Sequence, residues 1–147
     1  MVEIETFLRD PAGGFVRAEA CHTPPPDLDY IEGAIRLSVD GLELIGLGEW
    51  DYVDQLWCYI AEMVPRFCST GHAETYFPDQ PIGLSFQKTG SRVLVTVKSG
   101  GEVRKASASS ADLLNSLKAA GLSFFEKMSE LAPGHSYAEA RQELLSV

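Results

Sequence analysis

Large apolar residues are densest between Trp50 and Phe67. There Trp50, Val53, Trp57, Ile60 and Val64 recur at the three- and four-residue spacing of one helix face, and Leu56 and Ala61 widen it. The pattern predicts an amphipathic helix that starts near Glu49 or Trp50, is kinked or ended by Pro65, and is closed by Gly71. Elsewhere the period is two. Val2, Ile4, Thr6 and Leu8 alternate with Glu3, Glu5 and Phe7, a half-buried strand. The turn residues Asp10 to Gly14 follow, and Phe15 to Ala20 returns as a second strand. Ile31, Ile35, Leu37 and Val39 share one side of a further strand, which meets Leu42–Ile45 across Asp40-Gly41. Asp-Gly between apolar runs predicts a type I′ hairpin, because both central residues need a positive φ.

Beyond Gly71 the alternation continues through His72–Phe77, Ile82–Gln87, Val93–Val97 and Glu102–Ser107. Short turns at Pro78–Pro81, Thr89-Gly90 and Ser99–Gly101 make this an antiparallel meander with one strongly apolar face. Ser109 to Asp112 then reads as a capped helix start. Leu113, Leu117, Phe124, Met128 and Leu131 hold one face of that helix, with Leu114, Gly121 and Phe125 beside it. Gly121 suits close packing, Pro133-Gly134 stops the helix, and Tyr137 to Leu145 forms a short terminal one. The expectation is an α+β fold: an antiparallel sheet of about six strands, meander plus hairpin, with two main helices on one face.

At 147 residues the chain reads as a single domain, 1–147. Residues 1–22 form an N-terminal hairpin, 23–29 a proline-rich connection, and 30–147 the main body. The three prolines Pro24 to Pro26 stiffen that connection and serve as a spacer.

Charge changes the picture more than composition does. The net charge is −9, and residues 1–80 hold 15 acids, 4 arginines and no lysine, whereas residues 81–147 hold 6 acids and 8 bases. An acidic field of this kind repels nucleic acid and anionic lipid and favours a basic protein partner. The cluster Glu43, Glu49, Asp51 and Asp54, at the second hairpin and the start of the helix, is the candidate partner-binding patch. Three of these acids also suit the helix dipole.

Candidate chemistry is sparse. Cys21, Cys58 and Cys68 fit no C-x-x-C pattern and predict reduced thiols and a cytoplasmic protein. The acidic N-terminus has no apolar core of a signal peptide, and no run reaches the length of a membrane helix. His72 and Glu74 share a strand face, but no second histidine lies near, so no metal and no cofactor is expected. Cys21-His22 are adjacent, whereas catalytic pairs meet through the fold. There is no G-x-S-x-G elbow, and Gly46-Leu47-Gly48 lacks the third glycine of a dinucleotide fingerprint. No catalytic residue is assigned. Trp50, Trp57, Tyr59, Tyr76 and Phe77 could line a ligand pocket, although aromatics at helical spacing are more often core.

The order of the Asp40-Gly41 hairpin, Trp50–Trp57 helix, Tyr76–Pro81 turn, meander and Ser110–Leu131 helix resembles small acidic α+β immunity proteins of bacterial toxin systems, over residues 31–132. The resemblance implies a binding protein that blocks a toxin domain and carries no catalytic residues. Two other readings stay open: a small-molecule-binding domain or minor enzyme with an aromatic pocket between helix and sheet, and a homodimer with a structural role.

Overall fold

The computed structural model describes residues 1–147. The alternation of the first half builds β1 (Val2–Arg9), β2 (Phe15–Arg17), β3 (Glu32–Val39), β4 (Leu42–Ile45) and the two-residue β5 (Asp51–Tyr52). The long apolar stripe builds α1 (Val53–Thr70). The meander is β6 (His72–Tyr76), β7 (Ile82–Thr89), β8 (Arg92–Ser99) and β9 (Glu102–Ser109), followed by α2 (Ser110–Leu131) and α3 (Ala138–Leu145). All strand pairs are antiparallel. The chain is α+β, as the patterning predicts.

The expected single sheet is instead two. One runs β2-β1-β3-β4, with β5 pairing to the start of β3, and the other runs β6-β7-β8-β9. The physical reason lies in β4 and β9. β4 is only four residues long, and the chain leaves it through a 3₁₀ turn at Leu47–Glu49 and enters α1, so the hairpin never pairs with the meander. β3 and β4 lie against β8 and β9 without strand pairing, and Arg104 of β9 donates from Nη1 to the carbonyl of Leu44, at 2.8 Å.

Asp40 and Gly41 take φ of 49° and 84°, the two positive values a type I′ turn demands. β1 finds its main partner in β3, with Val2 opposite Val39 and Leu8 opposite Gly33. β2 covers only Phe15–Arg17, and the chain then tightens into a 3₁₀ turn at Ala18–Ala20, shorter than the expected strand.

The helix of the apolar stripe starts later than the spacing suggests. Trp50 lies before β5, outside α1, and the first helical amide, Val53 N, bonds to the carbonyl of Ile31 at 2.9 Å. Pro65 does not end the helix. Met63, Val64 and Phe67 are all buried around it, and that burial holds the last turns although Pro65 has no amide to give. Gly71, at φ 78°, closes α1 with a bond from its amide to Phe67 O. Ser109 caps α2 by accepting from Asp112 N at 3.0 Å.

Both long helices pack against inward faces of both sheets, and α3 packs against α1 and α2. A cluster of 35 buried residues fills the space between them. Trp57 lies at its centre, stacked on Phe124 with ring centroids 6.3 Å apart. A Cβ on Gly121 would come within 2.6 Å of Leu144 Cδ1 and 3.0 Å of Trp57 Cζ3. We therefore expect Gly121→Ala to destabilise by about 1–3 kcal/mol, the usual range for overpacking. Urea midpoints check this. The double variant with Leu144→Ala should lose less than the sum of the two single losses, because the two sites touch. Strictly additive effects would count against the contact.

Candidate partner-binding site

The four acids predicted as one contact patch fall in four different environments. Glu43 is exposed on β4 and pairs with Arg36 Nε at 3.5 Å. Arg36 also reaches Glu5 at 3.2 Å, and Arg17 pairs with the same Glu5. Glu43 thus belongs to a ladder of compensated charge on the first sheet. Glu49 has a side chain only 16% exposed, held by Arg104 Nη1 at 2.6 Å and by the amide of Gly46 at 3.2 Å. Arg104 also binds Glu102 at 3.0 Å, and the bonds from Glu102 and Glu49 push its already high pKa up further.

Asp51 is 1% exposed. Its carboxylate accepts from the amides of Tyr52 at 2.6 Å, Asp79 at 3.1 Å and Gln80 at 2.9 Å. It therefore fastens the β6–β7 loop to β5 and cannot touch a partner in this structure. Asp54 is half-buried and accepts from the Tyr137 hydroxyl at 3.0 Å. Burial first, then the Asp54 charge, raises the pKa of that hydroxyl. The clustering read along the chain fails because β5 intervenes between Glu49 and the helix, and its alternation turns Asp51 inward.

Asp51 and Asp54 make no ion pair, and neither do Glu3, Glu126, Glu139 and Glu143. Asp10, Asp27, Asp29 and Asp79 have no cationic group within ion-pair distance. Asp27, Asp29 and Asp79 are exposed. They gather at the end of the molecule where the β1–β2 turn, the proline connection and the β6–β7 loop converge. Asp10 and Asp27 line one recess of about 320 Å³ together with Pro25, Tyr30 and Glu32. Asp79 lines a second, of about 240 Å³, with Trp50 and Tyr52. Tyr30 and Tyr52 join the two, with ring centroids 5.3 Å apart at 51°. Tyr30 is 56% exposed. Burial raises the Tyr52 pKa most, and Asp79 and Glu32 add to it, which places those charges around the ring.

Beside this pair Arg9 is sandwiched between aromatic faces. Its guanidinium carbon is 4.3 Å from the Trp50 ring and 4.8 Å from Phe15, with Nε 3.5 Å from Glu32. The loop that carries Tyr30 is fixed by Asp29 N bonding to Asp27 Oδ1 at 3.0 Å, and by a 2.7 Å contact between His135 Nε2 and Leu28 O. Residues 23–29, expected as a spacer, thus present Asp27 and Asp29 beside Tyr30. The available signal was three acids flanking Tyr30, namely Asp27, Asp29 and Glu32, after a stiff segment and without a base among them.

The aromatic residues considered for a pocket do not share one. Trp57 and Phe77 are buried, and Trp50, Tyr59 and Tyr76 border three separate recesses. His72 Nε2 lies 3.8 Å from Glu74 while its Nδ1 meets Gln87 at 2.9 Å. No group of three or more His, Cys, Asp or Glu side chains is arranged to hold a metal ion.

All three cysteines are free, in different settings. Burial first, then Asp54, pushes the Cys58 thiol up to about 11, and Cys68 is exposed. The thiolate is the reactive form. In a short iodoacetamide pulse at pH 7.5, Cys68 should label first and Cys58 last, at least about tenfold slower. Peptide mass spectrometry reads the order. Labelling of Cys58 as fast as Cys68 would refute this account of its surroundings.

No helix is long and apolar enough to cross a membrane. No protein-family model, curated protein or solved structure matches the chain.

Proposed function

We propose that this chain is a protein-binding module whose partner is a basic protein domain, docked on the end bearing Tyr30, Tyr52 and Asp79. One observation carries the reading: the exposed, unpaired Asp27 and Asp79 line the recesses that the Tyr30–Tyr52 pair joins, whereas Glu43 and Glu49 are compensated. Tyrosine, tryptophan and arginine are the residue types that anchor protein interfaces, and uncompensated charge of one sign steers an oppositely charged partner. The resemblance to immunity proteins suggests the class of partner, a toxin domain. Three free thiols suit a reducing compartment such as the cytoplasm.

The test begins with the genes flanking its own. A basic toxin domain encoded there should form a complex with this protein when the two are co-expressed. Its association rate, followed by stopped flow, should fall steeply with salt, as the Debye length shrinks from about 10 Å at 0.1 M to about 3 Å at 1 M. Replacing Asp27, Asp29 and Asp79 with asparagine should slow association. Reversing Glu43 alone should do less. Absence of such a domain, failure to bind it, or a rate indifferent to salt and to these aspartates would defeat the reading.

A further inference from the structure

Arg9 shows how this end of the molecule holds a planar cation: between two aromatic faces, with a carboxylate at its nitrogen. The adjoining Tyr30 and Tyr52 rings contact each other directly, with centroids 5.3 Å apart, and hold no cation between them, but carboxylates surround them as well. Glu32, which pairs with Arg9, sits opposite Tyr52 in the β3–β5 register, and Tyr30 shares a recess with Arg9 and Glu32. Asp79 and Asp27 stand on either side, neither paired to a base, and more than half of Tyr30 is open to solvent.

We propose that an arginine of the bound protein stacks on the exposed ring of Tyr30 and ion-pairs with Asp27 or Asp79, using one aromatic face and a carboxylate where Arg9 uses two faces and a carboxylate. This rests on the reading of that end as the docking site. Arginine fits better than lysine for a physical reason. Its guanidinium is planar and weakly hydrated, so it lies flat on an aromatic face while its N–H groups reach a carboxylate, and an ammonium is a strongly hydrated point charge.

The probe is a capped nonapeptide of three Arg-Gly-Ser repeats, compared with the same peptide carrying lysine or citrulline. Citrulline keeps the planar shape and removes the charge. Tyrosine-ring resonances of the full-length protein are followed by NMR during titration. The arginine peptide should shift the rings of Tyr30 and Tyr52 and leave Tyr76, 75% exposed on β6, in place. The lysine peptide should bind about fivefold more weakly, and the citrulline peptide more weakly again. Tyr30→Leu should weaken the arginine peptide about fivefold. Tyr76→Leu should change nothing.

The two readings fail differently. If arginine and lysine peptides bind equally and Tyr30→Leu has no effect, while Asp27→Asn and Asp79→Asn still weaken them, the docking end stands and the arginine slot is wrong. If citrulline matches arginine, the slot is also wrong. If no peptide moves Tyr30 or Tyr52, the slot and the docking end fall together.

Discussion

Trp57→Ala should lower stability by about 3–5 kcal/mol, the range for truncating a buried tryptophan. That is a large share of the roughly 5–15 kcal/mol that holds an ordinary domain together. Trp57 is fully buried, its ring stacks on Phe124, and Gly121 leaves room for it beneath α2. Its Nε1 also donates to Thr6 Oγ1 on β1 at 3.1 Å, in the interior. The alanine variant therefore opens a cavity and removes a buried hydroxyl's partner at once. Trp57→Phe separates these effects. It keeps an aromatic ring and loses the N–H, so we expect a smaller loss of about 1–3 kcal/mol. Urea midpoints for the two variants give the comparison. Equal losses would mean that the ring contributes nothing beyond its hydrogen bond, and no loss in either would place Trp57 at the surface.

Most of this core is legible in the alternation. Ile82, Leu84, Phe86, Val93, Val95 and Val97 point inward as period two requires, and Leu113, Leu117, Phe124 and Met128 do so at the helical period. These patterns are local and strong. The division into two sheets is not local. It depends on β4 stopping after four residues, and the link across to the meander is made by Arg104 reaching Leu44 and Glu49, a side-chain bond of which spacing along the chain carries no record. Trp50 shows the same limit. Its spacing to Val53 and Trp57 fits a helix, yet its face is taken by Arg9, and β5 separates it from α1.

The site was less legible than the fold. Charge asymmetry between the halves is visible in any count of residues, but which acids lack a partner depends on where seven arginines and five lysines fold to. Arg36, Arg104 and Arg17 compensate Glu43, Glu49 and Glu5 from other elements. The proline connection looked like a spacer because a segment with few apolar residues predicts no packing of its own. Its contribution is to present Asp27, Asp29 and Tyr30 beside a loop some fifty residues later in the chain.

Asp51→Ala should destabilise by about 2–4 kcal/mol and loosen the β6–β7 loop, although no partner can reach the side chain. The carboxylate is buried and accepts three backbone amides, those of Tyr52, Asp79 and Gln80, and no cation neutralises it. Leaving buried donors unpaired costs about 1–3 kcal/mol each, less where water can enter, and here Asp79 lies at the surface. Asp51→Asn keeps one acceptor oxygen and turns an N–H toward amides that are themselves donors, so we expect it to recover less than half of the loss. Hydrogen exchange locates the damage: the amides of Asp79 and Gln80 should lose protection while those of β8 keep theirs. Gln80 Nε2 also bonds to Trp50 O at 2.7 Å, so the loosened loop should disturb the Trp50 and Tyr52 side of the proposed docking end as well. Binding of a basic partner should then weaken through misplaced Asp79, and Asp79→Asn in the Asp51→Ala background should add little. A urea midpoint unchanged from wild type, with Asp79 and Gln80 still protected, would show that Asp51 is not the fastening of this loop and would return it to the set of surface acids a partner can touch.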